Sequence, residues 1–99
     1  YVLLNSSRSP EELGREDLVN RLPKGHVITL PATKFALARI GRPLPGAAML
    51  AGFAALTGKL KLESVQQAFQ TRYKGKVAQA NADVAADAYS FVLEAKNRL

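Results

Sequence analysis

The chain of 99 residues contains no cysteine and one histidine, so it cannot by itself build a disulfide, a thiolate zinc site or an iron–sulfur cluster. Apolar residues make up 47% of the sequence, which is ordinary for a globular protein and argues against disorder. The net charge of +6 suits an acidic protein partner, a phosphate-bearing ligand or nucleic acid. We recognise no transmembrane span or signal peptide and expect a cytoplasmic protein with no membrane partner.

The first third of the chain has a strand–helix–strand pattern. Residues 1–5 form a short apolar run, and residues 26–30 form a second run rich in β-branched side chains. Between them, Ser9 and Glu12 have the spacing of a capping box, and Pro10 suits the first helical position. The helix predicted to follow this box can face the sheet with Leu13, Leu18, Val19 and Leu22. This order predicts two parallel strands with a right-handed crossover.

Residues 32–99 are predicted to be helical, with helices over 33–40, 47–56, 62–73 and 77–98. Glycines 41 and 58 suit left-handed helix caps. The segment 42–46 is predicted to be a non-helical elbow, because each proline disfavours the helical conformation in the residue before it. The helix predicted at 62–73 has an apolar stripe formed by Leu62, Val65, Phe69 and Tyr73. The helix predicted at 77–98 has a stripe formed by Val77, Asn81, Val84, Ala88, Phe91 or Val92, Ala95 and Leu99.

The segment Ala47 to Leu56 is apolar on every side and too short to span a bilayer, so we expect a buried core helix. Four residues at helical spacing lack bulky side chains and form a flat face, called here the small-residue face: Ala48, Ala51, Gly52 and Ala55. Such a face lets another backbone approach closely. The neighbour would lie either inside this chain or across a subunit interface.

The sequence does not predict a catalytic or cofactor-binding site. Ser6, Ser7 and Ser9 follow the first strand, but His26 lies a strand away, so we interpret the serines as hydroxyls that cap turns and a helix. Neither a dinucleotide fingerprint nor a phosphate-binding loop is present. We therefore expect no catalytic residue, no metal ligand and no cofactor contact within the chain.

Basic residues bracket the helix predicted at 62–73, with Tyr73 beside them: Lys59, Lys61, Arg72, Lys74 and Lys76. Such charges usually remain solvated, and the alternatives are contact with an acidic protein or a phosphate ligand. Nucleic acid is the weaker alternative, because Phe35, Phe53, Phe69 and Phe91 occupy predicted core positions instead of forming a stacking surface. A small basic binding module for nucleic acid or an acidic protein is therefore the second functional hypothesis.

Several segments together resemble the C-terminal half of the gamma subunit, or domain III, of the 2-oxoacid:ferredoxin oxidoreductases of the pyruvate and ketoisovalerate type. They occur in the same order as in that family. They are NSSRSPEE at 5–12, LPATK at 30–34, GRPLPGAAML at 41–50, LTG at 56–58, LESV at 62–65 and YKGKVAQAN at 73–81. Two departures are the missing amino-terminal Gly-rich turn and Gly46-Ala47, where Asn-Thr is common in the family.

The resemblance implies a Rossmann-like three-layer α/β fold, of which residues 1–99 would form a single incomplete domain. It also implies a role in a multisubunit enzyme that oxidatively decarboxylates a 2-oxoacid to an acyl-CoA and passes electrons to ferredoxin. Thiamine diphosphate, magnesium, iron–sulfur clusters and CoA would be bound elsewhere in the complex. The expected partners of this segment are the alpha and beta subunits, and its expected interface residues are the small-residue face with Arg42, Lys74 and Lys76.

Overall fold

Two strands and five helices make up the part of the chain that the structure describes, residues 1–42 and 45–98 of a computed structural model. In chain order they are β1 (Val2–Asn5), α1 (Glu16–Arg21), β2 (Val27–Leu30), α2 (Ala32–Arg39), α3 (Gly46–Thr57), α4 (Leu62–Arg72) and α5 (Gly75–Asn97). The fold class is α/β and becomes helix-rich toward the C-terminus, which confirms the prediction. None of the described helices is both long and apolar enough to cross a membrane.

The two strands pair in parallel, with Val2 opposite Val27 and Asn5 opposite Leu30. Side chains alternate along each strand, so Leu3, Ile28 and Leu30 share one face of the sheet. Ile28 and Leu30 are buried on this face. The helices α3 and α5 both contact β2, and α3 also contacts β1. The predicted parallel pair is therefore confirmed, and one face of it carries the core.

The capping box forms as predicted, but it closes one turn and does not begin α1. The Ser9 backbone N–H donates to Glu12 Oε1 at 3.1 Å, and the Glu12 N–H donates to Ser9 Oγ at 3.2 Å. The first of these bonds is the main cause that lowers the pKa of Glu12. Gly14 then adopts a left-handed conformation with φ of 74°, which ends the turn, and α1 starts only at Glu16.

The predicted burial of the first helix is wrong for two of its four apolar residues. Leu13 lies in the turn before α1 and Val19 lies within α1, and each is 39% exposed. Leu18 and Leu22 are half-buried. The reason is that α1 has only six residues and buries none of them. This side of the chain therefore keeps an open apolar surface.

The core is built around α3, whose small side chains admit close neighbours. Seven of its twelve residues are buried: Ala47, Ala48, Ala51, Gly52, Ala54, Ala55 and Leu56. The helix starts at Gly46, one residue earlier than predicted, and ends at Gly58 with φ of 70°, the left-handed cap expected there. The predicted elbow residues Pro43 and Leu44 lie outside the described residues. Gly41 has the expected left-handed conformation, with φ of 80°.

The last helix, α5, is the element against which most of the chain packs. It contacts α2, α3, α4 and β2, and its 23 residues give it a length of about 35 Å. Val84, Ala88 and Val92 are buried as predicted. In α4, Val65 is buried, Leu62 and Phe69 pack against the core, and Tyr73 is half-buried just after the helix. The predicted stripe of α4 is therefore confirmed.

Three predicted core residues are instead partly exposed. Val77 is 53% exposed in the first turn of α5, Phe91 is 39% exposed near the C-terminal end of α5, and Phe53 is 46% exposed on α3. Phe53 lies with Leu50 on the side of α3 opposite the small-residue face. For Phe53 the prediction was wrong because the all-apolar α3 offers no sequence contrast between its covered and its open sides.

Polar contacts tie α2, α3 and α4 to α5. Gln66 Nε2 of α4 donates to the carbonyl oxygen of Ala82 at 3.2 Å. The Arg39 guanidinium of α2 donates to both carboxylate oxygens of Asp87, at 2.9 and 3.3 Å. Lys96 Nζ donates to the carbonyl oxygen of Leu56 at 3.1 Å. This ammonium group lies at the C-terminal end of α3, where the helix dipole favours a positive charge and the last carbonyls lack helical partners.

Candidate functional site

A small crevice lies where the carboxyl ends of β1 and β2 meet the start of α2. It encloses about 280 Å³ and is lined by Asn5, Ser6, Ser7, Pro31, Thr33, Lys34 and Leu37. In open α/β sheets, ligands commonly bind at this edge. Its position therefore makes this crevice a candidate functional site.

Asn5 uses its whole side-chain amide to hold the start of α2. Its Oδ1 accepts from the backbone N–H of Ala32 at 3.0 Å and of Thr33 at 3.4 Å, and its Nδ2 donates to Thr33 Oγ1 at 3.0 Å. Pro31 at the N-cap has no side chain that could accept these bonds. Asn5 of β1 thus supplies the cap, and it occupies the backbone amides of Ala32 and Thr33, which could otherwise bind an anion at this helix end.

Replacing Asn5 with alanine is expected to lower the free energy of unfolding by about 1–2 kcal/mol, because two backbone donors of α2 lose their acceptor. Asn5→Asp is the control. Its carboxylate can accept the same bonds and suits the positive end of the helix dipole, so the change should stay within about 0.5 kcal/mol. Urea denaturation measures both variants. Equal midpoints for Asn5→Ala and the unchanged chain would contradict the capping role.

The serines and the histidine do not form a catalytic group. Ser6 Oγ accepts from the Arg8 N–H at 2.9 Å, and Ser9 belongs to the capping box. His26 stacks on Tyr1 at 4.0 Å, at the opposite end of the strands from the serine loop. Four residues of strand separate them by about 13 Å, which is beyond hydrogen-bond reach. Within residues 1–42 and 45–98, no three His, Asp or Glu side chains are grouped as metal ligands.

The small-residue face lies inside this chain. Ala48, Ala51 and Ala55 are almost completely buried. A Cβ atom added at Gly52 would lie 2.6 Å from Leu30 Cδ2, 3.1 Å from Leu3 Cδ2 and 3.3 Å from Val92 Cγ2. Both strands and α5 therefore reach this face. Of the two alternatives for the close neighbour, the packing supports the one within the chain.

The predicted basic residues fall into two groups and do not form one compact cluster. Lys59 and Lys61 precede α4, whereas Arg72 and Lys74 lie at its other end and Lys76 lies in the first turn of α5. The eleven residues of α4 separate the two groups by about 16 Å. All five side chains are exposed, as is Arg42 after α2. The basic residues therefore flank α4 at both ends, as predicted, and the second functional hypothesis of a basic binding module stays a prediction.

Sequence analysis missed the exposed apolar side of α3. Leu50 is 44% exposed and Phe53 is 46% exposed. They lie three residues apart and therefore on one side of the helix. The sequence feature that could have revealed them is the all-apolar composition of α3. A single small domain can cover only part of such a helix.

Comparison with known proteins gives the same family as the resemblance in the sequence. A sequence model of the family described as pyruvate ferredoxin/flavodoxin oxidoreductase matches residues 1–91. The pyruvate/ketoisovalerate oxidoreductases common subunit gamma of Thermococcus kodakarensis is 34% identical over 91 residues, covering 90% of this chain and 46% of the relative. The protein of the same name from Pyrococcus furiosus is 33% identical over 88 residues, with 89% and 46% covered.

A third relative is the pyruvate synthase subunit PorC of Methanocaldococcus jannaschii. It is 39% identical over 66 residues, covering 67% of this chain and 37% of the relative. The chain thus spans less than half the length of these relatives. No solved structure matches. Because the family model covers nearly all of the sequence in one continuous match, the chain belongs to the pyruvate ferredoxin/flavodoxin oxidoreductase family.

Proposed function

We propose that this chain is a segment of a gamma-type subunit in a cytoplasmic, multisubunit 2-oxoacid:ferredoxin oxidoreductase, with an architectural and subunit-docking role. The observation that carries the proposal is the continuous family match over residues 1–91. The relatives are named as subunits of pyruvate or ketoisovalerate oxidoreductases and of pyruvate synthases. The proposed reaction of the whole complex is the oxidative decarboxylation of a 2-oxoacid to an acyl-CoA, with ferredoxin as electron acceptor.

The residues of this chain do not fit the cofactors proposed for the complex. An iron–sulfur cluster requires cysteine thiolates, and the sequence has none. Magnesium bound to a diphosphate is typically held by one or two carboxylates and the phosphate oxygens, and the crevice at the carboxyl ends of the strands has no Asp or Glu in its lining. Thiamine diphosphate, magnesium and the clusters would therefore be held by the other subunits.

The docking role is supported by the exposed side of α3. Leu50 and Phe53 present adjacent apolar surface where a large subunit could bury it, and such surface is typical of protein interfaces. Three exposed basic residues lie at helix ends: Arg42 follows α2, Lys74 precedes α5, and Lys76 lies in the first turn of α5. We propose that they contact acidic residues of the alpha or beta subunit, where rim charges would steer association.

Purification of the tagged native protein from its own cells tests the proposed function. We expect it to co-elute with large subunits that contain thiamine diphosphate, and the eluate to reduce a low-potential acceptor in a reaction that depends on CoA and a 2-oxoacid. A chain that elutes alone, or with proteins that lack this activity, would sink the proposal.

The double variant Leu50→Ser with Phe53→Ser is expected to lose co-elution while the isolated chain keeps its fold, because both side chains are already about half exposed. Truncating two apolar contacts at an interface weakens binding by roughly tenfold or more. Leu37→Ser is the matched control, since Leu37 is 50% exposed on α2. Equal recovery of the large subunits with the double variant and with the control would remove α3 from the docking surface.

A further inference from the structure

We draw no further inference here: the strongest candidate, the apolar groove of about 500 Å³ along the outer edge of β2, belongs to a chain that spans less than half the length of the relatives it matches, and nothing in the part of the chain that the structure describes shows what covers this edge.

Discussion

Replacing Gly52 with leucine is expected to lower the free energy of unfolding by about 3 kcal/mol or more, at the upper end of the cost of overpacking a core. Even the first added atom, Cβ, would lie 2.6 Å from Leu30 Cδ2 and 3.1 Å from Leu3 Cδ2. Leu30 is fully buried, and because protein cores are close-packed, moving its side chain would displace neighbouring atoms. For a domain of this size, the thermal midpoint should fall by at least roughly 12 °C.

Gly46→Ala is the control for Gly52→Leu. Both glycines lie in α3, but a Cβ atom at Gly46 would meet nothing within 4 Å. Its stability should change by no more than about 0.5 kcal/mol. Circular dichroism during heating compares the two variants. If Gly52→Leu melted at the same temperature as Gly46→Ala, the close approach of the strands to α3 would be wrong.

Truncating Leu30 to alanine is expected to lower the free energy of unfolding by about 2–5 kcal/mol, because it leaves a cavity between the sheet and α3. Leu30 is among the largest fully buried side chains of the chain's core. Leu37→Ala removes the same atoms from a side chain that is 50% exposed, so it should change stability by about 0.5 kcal/mol or less. Chemical denaturation of both variants gives the comparison, and a loss below about 1 kcal/mol for Leu30→Ala would contradict the packing described.

The cavity left by Leu30→Ala should accept the methyl group of Gly52→Ala. The double variant is therefore expected to be more stable than the sum of the two single changes predicts, by about 1 kcal/mol. The steric clash at position 52 is relieved only in part, because Leu3 and Val92 also border the added Cβ atom. Strict additivity would show that Gly52 and Leu30 do not share this space.

Local chemistry made much of the fold predictable from the sequence. The β-branched run before Pro31 predicted β2, and the left-handed glycines at 41 and 58 marked the ends of α2 and α3. The capping box was also correct as a set of hydrogen bonds. The box did not mark the start of α1, however. Gly14 ends the turn in a left-handed conformation, and the hydrogen bonds of one capping box do not extend a helix past such a residue.

Long-range contacts were the part that the sequence could not supply. Asn5 caps a helix 27 residues further along the chain, and Lys96 reaches a carbonyl group 40 residues away. Such pairs follow from how the strands and helices are placed, and periodicity within one element contains no information on that placement. The side of α3 that stays exposed was missed for the same reason, since Leu50 and Ala51 are equally apolar in a pattern of residue types.

The sequence predicted the capping roles of the serines better than any site. Ser6 and Ser9 accept backbone hydrogen bonds as expected, whereas the absence of a catalytic residue stays a prediction. Val19 and Phe91, assigned to the core by their helical spacing, are each 39% exposed. Their exposure could not have been inferred from sequence, because it depends on which elements pack beside them.

The packing of α2, α3, α4 and β2 on a single late helix has a consequence for biosynthesis. Translation proceeds toward the C-terminus, so the apolar sides of these four elements emerge before Val84 and Val92 exist to cover them. Domains fold as units, and exposed apolar surface during synthesis invites aggregation. Stable structure should therefore form only after about residue 92 has left the exit tunnel. Until then the nascent chain should be a client for chaperones that bind apolar segments.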